Sequence, residues 1–148
     1  MRHPQIRSVA GTAIDMSEFA ENQFDVVFSN SVIEHVGGIA EQRRMADEVR
    51  RVGRRYSVQT PNRYFPIEPH FFFPFFGVMP IAMRAFLLRH FALGWGERVR
   101  DREESRRVAQ SARLLTRREL LAMFPDGQLA RERVAGLTKS FSVYGGDW

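Results

Sequence analysis

Two histidines and a run of small polar residues are the groups in this chain with evident chemical use. His35 follows Glu34, and an imidazole that titrates near neutral pH can take a proton from a substrate hydroxyl. A structural role for the same ring is the competing reading. His70, in Glu68-Pro69-His70-Phe71, is a second candidate base, with packing among aromatic neighbours as its alternative. Ser29-Asn30-Ser31 closes an apolar stretch and can offer hydroxyl and amide groups to a ligand, or form a turn by bonding its own backbone. The chain has no cysteine, which excludes disulfides, thiolate metal sites, iron–sulfur ligation and cysteine nucleophiles.

The elements that must position these groups follow from hydrophobic spacing. Ile6 to Ala10 alternate and end at Gly11, which predicts a short strand and a turn. Phe24-Asp25-Val26-Val27-Phe28-Ser29 is β-branched and aromatic, and predicts a strand buried on both faces. After Gly37-Gly38, apolar residues at Ile39, Met45, Ala46, Val49 and Val52 mark one face of a helix, stopped by Gly53. Tyr56 to Thr60 alternate and close at Pro61, so strand, helix and strand form a crossover unit with a parallel sheet. Residues 63–115 change character to an aromatic, proline-rich stretch. In it a short helix is expected after Pro80 and a charged one over Glu97 to Leu115, the whole forming an insertion or lid. Thr116-Arg117-Arg118-Glu119 is a capping box opening a further helix that ends at Pro125-Asp126-Gly127. Two last strands, Leu129 to Val134 and Lys139 to Tyr144, turn near Gly136 and pair antiparallel.

The 148 residues with 44% apolar content suffice for one domain over 1–148. The formal charge is +5 and Lys139 is the only lysine. Arginines at 43, 44, 50, 51, 54 and 55 could pair with phosphates. They alternate with Glu41, Asp47 and Glu48 as on a solvated helix, and no nucleic-acid module is recognisable. Met1 to Val9 lacks the apolar core of a signal peptide, and a cytoplasmic setting is expected. Phe71 to Leu93 is apolar but carries Arg84, Arg89 and His90. Each charge at bilayer centre costs about 3 kcal/mol, which disfavours a spanning helix and leaves contact of Phe71 to Phe91 with a membrane surface as an expectation.

The run from Val9-Ala10-Gly11-Thr12-Ala13 through Phe24-Asp25-Val26-Val27-Phe28-Ser29-Asn30-Ser31-Val32-Ile33-Glu34-His35-Val36, continuing to Tyr56-Ser57-Val58-Gln59-Thr60-Pro61-Asn62, resembles the middle motifs of class I S-adenosylmethionine-dependent methyltransferases, in particular the type 11 group. The resemblance implies an α/β, partial Rossmann-like sheet made of strands 3 to 7 of the usual order 3-2-1-4-5-7-6. A helical, aromatic-rich insertion precedes the last helix, and an antiparallel strand pair closes the chain. It implies S-adenosylmethionine as cofactor, with Gly11, Thr12 and Ala13 at the adenine and Ser29, Asn30 and Ser31 near the methionine end. Some relatives bind a divalent metal through a Glu-His pair like Glu34-His35 and a glutamate three residues earlier. Ser31 stands at that earlier position and is a poor ligand, so no metal is expected.

Methyl transfer to a small-molecule or lipid-like acceptor is the implied function, with His35 and His70 as catalytic candidates. The alternative is a non-catalytic remnant or partner subunit that binds no cofactor by itself. Nothing before Val9 matches the family's glycine-rich opening turn, nor do Gly37-Gly38 or Gly145-Gly146. A truncated domain is therefore expected, with Phe24 to Ser29 as an exposed edge. Such a chain should self-associate, take a partner over that edge, repack its first strand beside the fourth, or fold only in part.

Overall fold

The computed structural model of the chain describes residues 7–67, 73–93 and 97–147. Its centre is a four-stranded sheet in the order β1-β2-β4-β3. The strands are β1 (Phe24–Asn30), β2 (Gly53–Pro61), β3 (Gln128–Val134) and β4 (Leu137–Gly146). β1 and β2 are parallel, joined by α1 (Ile39–Val52), and β4 runs antiparallel to both β2 and β3. This is the 4-5-7-6 part of the expected strand order, and the fold is a partial Rossmann-like α/β sheet.

α1 forms where the spacing places it because Met45, Ala46, Val49 and Val52 fall on one stripe, and all four are buried. Burying a side chain such as Met45 or Val49 contributes about 2 kcal/mol. The stripe lies on the sheet face that carries Val27, Tyr56, Val58, Phe141 and Val143. α4 (Arg117–Met123) brings Leu120 and Met123 to the same core. The capping box at Thr116 is present in full, with Glu119 N donating to Thr116 Oγ1 at 3.2 Å and Thr116 N donating to Glu119 Oε2 at 2.8 Å. Tyr56 lies opposite Gly145, and a Cβ there would stand 2.4 Å from the Tyr56 hydroxyl, so β4 needs glycine at that point. The β3–β4 turn uses Ala135 and Gly136, both at positive φ (49° and 80°), which matches the right-handed twist of a two-residue hairpin.

Two strand expectations change. Arg7 to Ala10 pair with no strand among the described residues, and Val9 and Ala10 are exposed, while Ile6 lies outside the described residues. A short alternating run has no ladder to join unless a neighbour stands beside it, and none of the described strands does. Phe24 to Ser29 is a strand, but it is not buried on both faces: Phe24, Val26 and Phe28 are 36%, 48% and 72% exposed. The physical reason is that α1 and α4 both cover one face. Among the described residues no helix covers the other, and β1 is the sheet's edge.

The aromatic region contains α2 (Ile81–His90) and α3 (Arg102–Gln110), which pack on each other around Phe76, Ala85, Leu88 and Ala109 as a second small core. The charged helix is shorter than Glu97 to Leu115. It starts where Asp101 caps it, accepting from Glu104 N at 2.7 Å, and ends at Ser111. No helix of the described residues is long and apolar enough to cross a membrane.

Candidate functional site

The carboxyl ends of β1 and β2 meet where Ser29 lies opposite Val58 and Asn30 opposite Gln59. The chain leaves β1 through Ser31, whose φ of 52° is left-handed, and this turn is pinned to β2. Ser31 N donates to Gln59 O at 3.1 Å, and Ser31 Oγ donates to Gln59 Oε1 at 3.0 Å. A single 3-10 turn, Ile33–His35, follows, with Ile33 and Glu34 fully buried and His35 exposed. Glu34 Oε2 accepts from Thr60 Oγ1 at 3.0 Å, while Glu34 Oε1 and the buried Ser29 Oγ have no hydrogen-bond partner among the described residues. His35 Nδ1 lies 3.1 Å from Ser111 O. A carbonyl only accepts, so Nδ1 carries the proton in that bond, and the basic lone pair of the neutral ring is on Nε2.

Behind this turn lies a buried polar network that the sequence reading missed. Gln42 is on α1 and fully buried; its Nε2 donates to Ile33 O at 3.0 Å and to Arg113 O at 2.7 Å. Arg113 Nη1 donates back to Gln42 Oε1 at 2.9 Å, Arg113 Nη2 pairs with Glu119, and Arg113 N donates to Glu34 O at 2.7 Å. Burial pushes the Glu119 carboxyl up, but the Thr116 amide, the Arg113 guanidinium and the Thr116 hydroxyl together hold it below the usual range. The signal that could have found Gln42 is its place on the buried stripe, three residues after Ile39 and four before Ala46.

The other expected cofactor residues, Gly11, Thr12 and Ala13, lie on the segment before β1. Gly11 and Thr12 are exposed and Ala13 packs against the main core. Thr12 Oγ1 accepts from Ile14 N at 3.4 Å, and Asp15 N donates to Thr12 O at 3.3 Å. Among the described residues no hydrogen bond joins this turn to Ser29-Asn30-Ser31. The segment is clamped to α1 instead: Met16 N donates to Glu48 Oε2 at 2.6 Å, and Arg51 donates to Met16 O at 2.9 Å and to Phe19 O at 2.8 Å. His70 lies outside the described residues, and no three of His, Asp and Glu form a metal cluster among those described.

The clamp makes this segment acid-sensitive. The Arg51 guanidinium holds the Glu48 carboxyl below its ordinary value of 4.5, against burial and with help from the Met16 amide. A depressed carboxylate stabilises the fold fully above its unfolded pKa and loses that contribution as pH falls through the folded one. The thermal midpoint should therefore fall as pH drops below 4.5. Glu48→Gln should flatten part of that fall, and an unchanged acid slope in the variant would refute the role of the clamp.

Beside the 3-10 turn opens a cavity of about 640 Å³, formed by Gly37 and Gly38, by Arg63 just past β2, by residues 77–81 and Arg84 around the start of α2, and by Ala109, Gln110 and residues 112–114 at and after the end of α3. None of Gly11, Thr12, Ala13, Ser29, Asn30, Ser31 and His35 lines it.

Residues 1–57 match a family model described as Methyltransferase domain, of the type 11 group. The chain is 38% identical over 71 residues to Uncharacterized protein MT1557 of Mycobacterium tuberculosis, a span covering 48% of this chain and 24% of that protein. The chain thus spans about a quarter of the length of the curated relatives it matches. Among solved structures, a "possible exported protein" from Bordetella parapertussis shares the fold at 10% identity, with TM-score 0.52, covering 93% of this chain and 43% of that one. A SAM-dependent methyltransferase from Methanosarcina mazei is 12% identical, with TM-score 0.47, covering 90% of this chain and 63% of its own. The stretch that holds β1, the Glu34-His35 turn and α1 is thereby the part of the chain that matches the type 11 methyltransferase domain.

Proposed function

We propose that this chain takes part in methyl transfer from S-adenosylmethionine to a small-molecule or lipid-like acceptor, in a cytoplasmic setting. The observation that carries the reading is the carboxyl edge of the parallel pair β1–β2, which lies within or beside the family-matched segment and presents the exposed Asn30 four residues before the buried Glu34. In open α/β sheets ligands bind at such an edge. The groups present fit a polar ligand there. The Asn30 side chain is exposed and makes no hydrogen bond among the described residues, and the exposed Thr12 hydroxyl keeps its proton to donate because it accepts in its bond with Ile14 N. S-adenosylmethionine supplies an electrophilic methyl on a sulfonium. Asn30 and Ser31 would hold the amino-acid end, and Gly11, Thr12 and Ala13 the adenine. His35, its ring held through Nδ1 on Ser111 O, would be the base for an acceptor that must lose a proton.

The second reading, a non-catalytic partner subunit, is favoured by one observation: the exposed apolar row Phe24, Val26 and Phe28 on the edge strand asks for a covering chain. Titration calorimetry with S-adenosylmethionine separates the two. Binding heat that weakens about fivefold in Asn30→Ala, the worth of about one hydrogen bond, supports the first. A folded chain that gives no heat removes the first reading.

A further inference from the structure

We propose that the cavity between Gly37-Gly38, Arg63 and the α2–α3 pair binds a small molecule with an oxyanion headgroup and an apolar body. As the acceptor site of the reaction proposed above, it rests on that reading; as a binding site it stands alone.

The lining carries the argument. Arg63, Arg84 and Arg113 contribute to it, and no aspartate, glutamate or histidine does among the described residues. The three arginines are not equivalent. Arg113 pairs with Glu119 and Gln42. Arg84 donates to the backbone carbonyls of Met79, Gly77 and Ala109, so its guanidinium serves to fold the start of α2 against the end of α3. Arg63 is half-buried, its backbone amide is fixed on Leu115 O at 3.2 Å, and its guanidinium has no carboxylate or hydrogen-bond partner among the described residues. A half-buried cation lining a cavity with two further arginines, without a carboxylate of the described residues in that lining, is a place where an anion gains and a second cation loses. Apart from Gln110 and the glycines, the rest of the lining is apolar, with Val78, Met79, Ile81 and Leu114, and the 640 Å³ volume lies in the range of about 300–1,000 Å³ that holds small organic ligands. A bidentate guanidinium fork suits a carboxylate or a phosphate headgroup alike.

The test uses the whole chain and four probes with one tail: octanoate, octyl phosphate, octanol and octyltrimethylammonium, titrated by calorimetry without cofactor. The expected result is binding of one or both anions and none of the alcohol or the cation at matched concentration. Arg63→Gln should weaken anion binding about tenfold, the loss of a charge-assisted hydrogen bond, and Arg63→Lys less. Circular dichroism of the variants checks that they fold. Preference for octanoate or for octyl phosphate identifies the headgroup. Octanol binding as well as octanoate, or anion binding that keeps full strength in folded Arg63→Gln, overturns the proposal and moves the tail to the open face of the sheet. Anion binding in a chain that gives no heat with S-adenosylmethionine leaves this site standing and removes the methyltransferase reading. The converse result does the reverse.

Discussion

Gln42→Leu should lower the unfolding free energy by about 3 kcal/mol or more, the largest stability effect expected of a single substitution on α1. Leucine fits the apolar stripe, so the loss is not one of volume. Three hydrogen bonds vanish together: those from Nε2 to Ile33 O and Arg113 O, and the one Oε1 accepts from Arg113 Nη1. Each leaves a group of its partner without a mate beside a fully buried position, and an unmade buried bond costs about 1–3 kcal/mol. The consequence passes to the candidate site, because Gln42 is what ties the Ile33–His35 turn to the strand of chain at Arg113, and the His35 ring rests on Ser111 of that same strand of chain. Urea denaturation monitored by circular dichroism measures the loss, and the His35 imidazole resonances should shift with it. A cost under about 1 kcal/mol would mean that water or a rearranged Arg113 replaces the bonds, and the network would then not be what fixes the turn.

What could be read in the residues is what is decided locally. The α1 stripe, the capping box at Thr116, the hairpin near Gly136 and the strand character of Phe24 to Ser29 each follow from a few neighbouring side chains, and the structure has all four. The burial of β1 was not local. Val26 and Phe28 read as core because their types suit core, yet what covers them is decided by elements far along the chain. Arg7 to Ala10 failed for the same reason, since a strand exists only beside another. Of the candidate site, the Ser29 to His35 run was legible because a strand end and its turn are contiguous. The cavity was not. Its walls come from Gly37, Arg63, Met79 and Arg113, four places whose only common sequence feature is that none belongs to the buried stripe of a regular element. Periodicity describes the face an element buries and says nothing of where two loops leave space.

Phe28→Lys and Val26→Lys should each shift the chain from a self-associated state to monomer, because β1 is suited to pair with β1 of a second copy. Its outer backbone edge takes no backbone hydrogen bond among the described residues, and an unpaired edge of this kind templates another strand. The seven residues are complementary to themselves when run antiparallel about Val27. In that register Val26 faces Phe28 of the other copy twice on the open face, Phe24 faces Asn30, and Asp25 faces Ser29, so apolar meets apolar and no like charges oppose. A slip by one residue would carry the apolar row to the helix-covered face, which fixes the register. Pairing of this kind buries the most exposed large side chain of the strand, Phe28, and makes one continuous sheet from two. Sedimentation velocity over a wide concentration range tests it: a dimer in the parent chain and a monomer in either lysine variant is the expected outcome. Lysine works through the open face and not through the fold, since neither position touches the main core, and melting temperatures close to the parent's would show that. A parent chain that stays monomeric at high concentration, or a dimer untouched by Phe28→Lys, rejects β1 as the contact and leaves its apolar row to a partner of another sequence.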